Sequence, residues 1–168
     1  MNYFSEIPTY IWVIFVVAVV FVSFWAWIKF FFSDDNQRKI ARNKVEEYFG
    51  FLFDYGLIID TVDYSPNANS AWVVVLKSDK CKVRIIQDRN DIYCEVIPTW
   101  ISDKKYVGIS SIIANSENKD KNLYFPKTRR NIDTQLEFYG KLFYSHYDQV
   151  NTFIDNYPKP FSTATNNI

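Results

Sequence analysis

An α+β fold, with one membrane-crossing helix ahead of a small domain, is predicted by three observations. Residues 10–32 are apolar almost without interruption. Residues 57–97 hold four runs rich in β-branched and aromatic side chains, separated by turn-forming clusters. The segments flanking those runs carry apolar residues at helical spacing. The chain has 168 residues; about 135 of them follow the apolar segment, enough for one domain around one core. The expected organisation is a short leader (1–9), a transmembrane helix (10–32), a domain (34–158) and a flexible tail (159–168). The domain is expected to have two layers, a four-stranded antiparallel meander flanked by helices.

Ile11 to Ile28 is a run of Ile, Val, Phe, Trp and Ala broken only by Ser23, extended by Tyr10 before it and by Phe30, Phe31 and Phe32 after Lys29. At about 1.5 Å per residue it covers the roughly 30 Å hydrocarbon layer. Trp12 at one end, and Trp25 and Trp27 at the other, fall where amphipathic rings favour the membrane interface. Lys29 can snorkel to the headgroups. A cleaved signal peptide calls for a basic start and a small-x-small site, and the first ten residues contain neither Lys nor Arg. A buried core helix calls for a polar face, and none is present. Orientation follows from charge. Lys29, Arg38, Lys39, Arg42 and Lys44 cluster beyond the C-terminal end of the span, whereas Glu6 is the only charged side chain before it. The leader is therefore expected outside and the domain in the cytosol, with the bilayer as a partner and Arg38 and Lys39 near its surface.

From Asp34 a helix is expected, with Asp34 or Asp35 as cap and Ala41, Val45, Tyr48, Leu52 and Tyr55 as a core stripe that Phe49 and Phe53 widen. Gly56 is the expected stop. Strands follow over 57–64, 72–76, 81–87 and 92–97, and short connections make antiparallel neighbours. Cys81, Val83 and Ile85 alternate with Lys82, Arg84 and Ile86, giving one apolar and one mixed face. A short helix over 106–114, an exposed loop over 115–122 and a long helix over 132–157, with Thr134 and Glu137 as a capping box, complete the expectation. Pro158 and Pro160 end that helix.

The chemistry-bearing residues form no strong motif. A hairpin turning at Arg89-Asn90 sets Cys94 opposite Ile85 and Cys81 opposite Pro98, further apart than the roughly 7 Å a disulfide tolerates between Cα atoms. These two cysteines and the single His146 have no metal-type spacing. His146 comes with no nucleophile or orienting group in its sequence neighbourhood, and is expected to be structural. Asp60, Asp63, Asp88, Asp91 and Glu95 are the acidic candidates for divalent-metal chemistry. No lysine follows Glu95 at nuclease spacing, and the turn accounts for Asp88 and Asp91. Gly50, Gly56, Gly108 and Gly140 stand alone, so no phosphate-cradling loop exists. The formal net charge of zero gives no steering toward nucleic acid. Lys77, Lys80, Lys82, Arg84 and Arg89 form a modest basic edge, for which a solvated sheet face is the simplest account. No cofactor, metal or small-molecule substrate is expected.

Leu52-Phe53-Asp54-Tyr55-Gly56, Tyr64-Ser65-Pro66, Trp72-Val73-Val74-Val75-Leu76, Val83-Arg84-Ile85-Ile86-Gln87-Asp88-Arg89 and Leu136-Glu137-Phe138-Tyr139 fall within residues 45–155. In this order they resemble small bacterial immunity proteins of polymorphic-toxin systems, where a helix leads into a short meander and a long helix closes the chain. The resemblance implies a non-enzymatic protein-binding module that neutralises a toxin, here anchored to the bacterial inner membrane. Trp72, Arg84, Tyr93 and Trp100 are the expected anchors of the interface. The alternative expectation is a membrane subunit of a signalling or defence complex, and a metal-dependent hydrolase ranks third.

Overall fold

The computed structural model describes residues 8–31, 33–65, 71–101, 105–120, 124 and 131–158. Most of the expected leader, Phe32, the Pro66–Ser70 part of one turn cluster and the expected tail 159–168 lie outside the described residues. The fold is α+β, and the chain divides into two units, Met1–Gln37 and Arg38–Ile168.

The first unit holds helix α1 (Thr9–Phe31). Its 23 residues extend ~35 Å, more than the hydrocarbon thickness of a bilayer. Within it Tyr10–Lys29 is long and apolar enough to cross a membrane, and none of its surface is buried in the protein. Side chains three and four residues apart meet on a helix, so Phe24 stacks on Trp27 and Trp27 on Phe31, at 6.3 and 5.5 Å between ring centroids. Trp12 meets Phe15 edge-on, and the Lys29 ammonium lies 3.9 Å from the Trp25 ring centroid. The terminal carbonyl of Phe31 accepts from the Asn36 and Gln37 side-chain amides at 3.0 and 2.9 Å, which satisfies a group that a helix end leaves open.

Helix α2 (Asp34–Phe49) starts where the Asn36 amide donates to Ser33 Oγ at 3.4 Å. Ser33 therefore takes the capping position expected of Asp34 or Asp35, which sit in the first turn and complement the helix dipole. Ala41, Val45 and Phe49 are fully buried, followed by Leu52. The expected stripe is rotated: Tyr48 is half-buried and Tyr55 exposed. The chain breaks at Gly50 and resumes as α3 (Phe51–Asp54). Gly56, at φ +81°, donates to Phe53 O while Leu57 donates to Leu52 O. This is the left-handed stop that glycine permits, and it delivers buried Leu57 to the first strand.

Among the described residues the sheet has five strands rather than four, in the order β1 (Ile58–Ser65), β2 (Ala71–Lys77), β3 (Cys81–Asp88), β4 (Asp91–Pro98) and β5 (Val107–Gly108), each antiparallel to its neighbour. β5 is two residues long, too short to leave a periodic signal, and lies at the start of the expected 106–114 helix. Helix α4 follows as Ile109–Glu117, so most of the expected 115–122 loop's beginning is helical. Asn118, at φ +52°, ends it with the same left-handed geometry as Gly56.

The expected long C-terminal helix is two helices, α5 (Ile132–Ser145) and α6 (Tyr147–Asn156), broken at His146. No Gly or Pro marks the break. Ser145 Oγ donates back to Lys141 O at 2.5 Å, a bond that bends helices, and the break turns Val150 and Ile154 into the core. The cap of α5 is Asn131, whose side chain accepts from the Asp133 and Thr134 amides at 2.8 and 3.4 Å. Glu137, expected in a capping box, pairs with Lys141 instead.

One core gathers Phe49, Leu52, Trp72, Val74, Leu76, Val83, Ile85, Ile92, Val96, Ile109, Leu136, Phe143 and Ile154 from helices and sheet. Two features fix it. Gly140 lets α5 approach α2 so closely that a Cβ there would lie 2.3 Å from Tyr48 O. Gln135, 1% exposed, accepts from the Ile92 amide at 3.1 Å and donates to Asn90 O at 2.6 Å, tying α5 to the β3–β4 hairpin. Gln135→Leu leaves both backbone groups without partners and is expected to destabilise by about 1–3 kcal/mol. Gly140→Ala is expected to cost a similar ~1–3 kcal/mol through overpacking. Urea unfolding of the two variants against the parent checks both values.

Candidate functional site

The sheet's faces differ because strand side chains alternate. Trp72, Val74, Leu76, Val83, Ile85, Ile92, Cys94 and Val96 lie on the core face. On the opposite face a row of Lys77, Lys82 and fully buried Ile97 adjoins two central rows. One runs Asp63, Val73, Ile86, Tyr93; the other runs Thr61, Val75, Arg84, Glu95. Val73, Val75 and Ile86 are half-buried, and Tyr93 is 40% exposed.

Arg84 and Glu95 stand directly opposite one another. The guanidinium donates through Nε and Nη2 to Glu95 Oε2 at 3.0 and 2.6 Å, and its plane lies 4.0 Å from the Tyr106 ring centroid. A charged pair opposed across a strand contributes roughly 0.2–1 kcal/mol, and ring stacking adds about 0.5–1 kcal/mol at a half-exposed site. The group is thus a pre-ordered polar platform beside apolar Val75, Ile86 and Tyr93.

Of the expected anchors, Arg84 and Tyr93 share this face. Trp72 does not: it is 3% exposed, on the core face opposite Gln87, and fills the interior instead of presenting a ring to a partner. Trp100 is half-buried against the core. Tyr106, which sequence reasoning missed, joins the site because β5 carries the chain back beside β4.

Among the described residues no group of three or more His, Cys, Asp or Glu side chains gathers as metal ligands would. Asp88 and Asp91 close the hairpin, Glu95 holds Arg84, and Asp60 and Asp63 lie on β1. Lys77 faces Lys82 across the sheet, and Lys80 pairs with Asp155 at 3.3 Å. Lys44 pairs with Asp133, Arg42 with Glu46, while Arg38 and Lys39 are exposed. Both cysteines are free and buried, Cys94 opposite Ile85 and Cys81 opposite Pro98 as the hairpin arithmetic requires. Burial pushes both thiols up, away from the reactive thiolate.

His146 has a partner set that sequence spacing concealed. Its Nδ1 lies 3.0 Å from Leu142 O, an atom that can only accept, so the ring donates there. Its Nε2 lies 3.3 Å from Glu117 Oε1. Glu117 also accepts from Lys119 Nζ at 2.7 Å and from the Tyr124 hydroxyl at 2.5 Å, and the Tyr124 ring meets the imidazole edge-on. The Nδ1 bond and the Tyr124 ring position the imidazole beside Glu117, and the set clamps the end of α4 to the α5–α6 break. The Lys119 hydrogen bond, then that of Tyr124, hold the Glu117 carboxyl at about 2 against an ordinary 4.5. A carboxyl depressed in the folded state stabilises fully above its ordinary value and loses that contribution as pH falls through the folded one. The clamp is therefore expected to be intact above pH 4.5 and to open as pH falls toward 2, read from the NMR shifts of the Tyr124 ring. Glu117→Gln is expected to remove that acid transition.

Comparison with protein-family models, with curated proteins and with solved structures gives no match to this chain.

Proposed function

We propose that the chain is a single-pass membrane protein whose two-layer cytosolic domain works by binding another protein and not by catalysis, in the manner of an immunity protein that neutralises a toxin. The observation that carries the reading is the second face of the sheet, where half-buried Val73, Val75 and Ile86 and exposed Tyr93 surround the ordered Arg84, Glu95 and Tyr106 group. Tyrosine and arginine held in fixed rotamers beside apolar surface are the residue types that dominate binding energy at protein interfaces. Arg84, Glu95 and Tyr106 are already ordered against one another, so that part of the face costs less entropy on association.

The membrane part of the proposal is supported by α1, which is long and apolar enough to span and has no buried surface. The excess of Lys and Arg after the span and their lack before it support a leader outside and a domain in the cytosol. Reporter fusions to the C-terminus check this: a cytosol-active reporter should be active and an export-dependent one silent.

The binding reading is tested in cells. Co-expression with the product of the adjacent reading frame should rescue growth if that product is a toxin. Tyr93→Ala combined with Arg84→Ala should weaken the complex by ~30-fold or more, about 2 kcal/mol, and abolish rescue while the domain keeps its circular dichroism. Full rescue by that variant sinks the assignment of this face.

A further inference from the structure

Among the described residues, strand β1 is the outer edge of the sheet and pairs on one side only, with β2. Among the described residues no backbone hydrogen bond reaches Ile58–Ser65 except from β2. Unpaired strand-edge amides and carbonyls are a template for another strand. What the edge would accept is set by its side chains. Val62 and Tyr64 lie on the core face opposite Val74 and Trp72, packed against the core yet only half-buried. Thr61, Asp63 and Ser65 are exposed on the other face. The register shifts between Ile59 and Thr61, so Asp60 is the extra residue of a bulge, also exposed. Neither Asp60 nor Asp63 has a cation paired with it among the described residues.

We infer that β1 accepts an extended segment of a partner protein as a sixth strand, one whose residues alternate between apolar and basic. The apolar residues would complete the cover over Val62 and Tyr64, and the basic ones would meet Asp63 and, at the bulge, Asp60. A second copy of this chain is a poor occupant, because two β1 strands side by side bring four carboxylates together, and like charges opposed across strands repel. The inference rests on the protein-binding reading and adds to it the conformation and charge of the bound segment.

The test uses the full-length, isotopically labelled protein in a neutral detergent. It is titrated with a capped peptide as long as β1 that alternates valine with lysine, and separately with one that alternates valine with glutamate. The lysine peptide should shift the amides of Thr61 to Ser65 and slow their exchange, binding at least about fivefold more tightly than the glutamate peptide. Asp60→Lys with Asp63→Lys should invert that preference; if the double variant fails to fold, Asp63→Asn should reduce it. The inference fails if the shifts centre elsewhere, if the lysine preference survives the double substitution, or if β1 amides become protected with protein concentration alone, which would make the occupant a second copy. The readout is β1 itself, so it is independent of whether Tyr93 and Arg84 carry an interface.

Discussion

Which side of each strand faces the core depends on the register between β3 and β4. A slip of one residue would put the two strands out of step: with β3 held in place, Glu95 would turn to the core and Cys94 out of it. The two-residue turn at Arg89-Asn90 sets the register, with Asp88 paired to Asp91 and every later pair following. The turn is not relaxed, since Arg89 sits at φ +57°, a region a non-glycine residue occupies at a cost. The Gln135 amide offsets that cost from outside the hairpin, bonding Asn90 O and the Ile92 amide on either side of Asp91. A helix more than forty residues away in sequence thus holds the turn on which the sheet's polarity rests.

The parts of this arrangement that sequence discloses are those with a local period. Alternation gave the four longer strands and both faces of β3, and the spacing of two turn residues gave the cysteine positions. The parts it conceals depend on contacts between distant segments. Gln135 reads as a surface residue of an amphipathic helix until the hairpin is brought against it. The α5–α6 break has no Gly or Pro to announce it, because His146 is turned by Glu117 and Tyr124 from a stretch read largely as loop. Residue type alone suggests Trp72 for an interface, whereas its parity with Val74 along the strand sets it on the core side, where it is buried. β5 left no signal because two residues have no period.

Neutral net charge conceals an ordered distribution. Pairing absorbs Lys44, Lys80, Arg84, Lys119 and Lys141 into contacts with Asp133, Asp155, Glu95, Glu117 and Glu137. Most of these pairs are exposed and contribute little individually. Two of them, Lys44 with Asp133 and Lys80 with Asp155, join segments remote in sequence and help fix which elements meet. Glu117 is the densest case, accepting from Lys119 and Tyr124 with the His146 ring beside it, at the point where α4 ends and the last helix turns.

Four charges with no ion pair among the described residues are then informative. Arg38 and Lys39 stand exposed near the start of α2, and Asp60 and Asp63 on the sheet edge. For a chain held on a bilayer, as proposed, the local concentration of identical copies is high, and an uncovered strand edge invites them to pair. A bulge and two carboxylates are the means by which a sheet edge discourages a copy of itself. The same carboxylates attract a strand of opposite charge. One feature thereby serves two ends, since what keeps β1 from its own kind also selects the partner it would take.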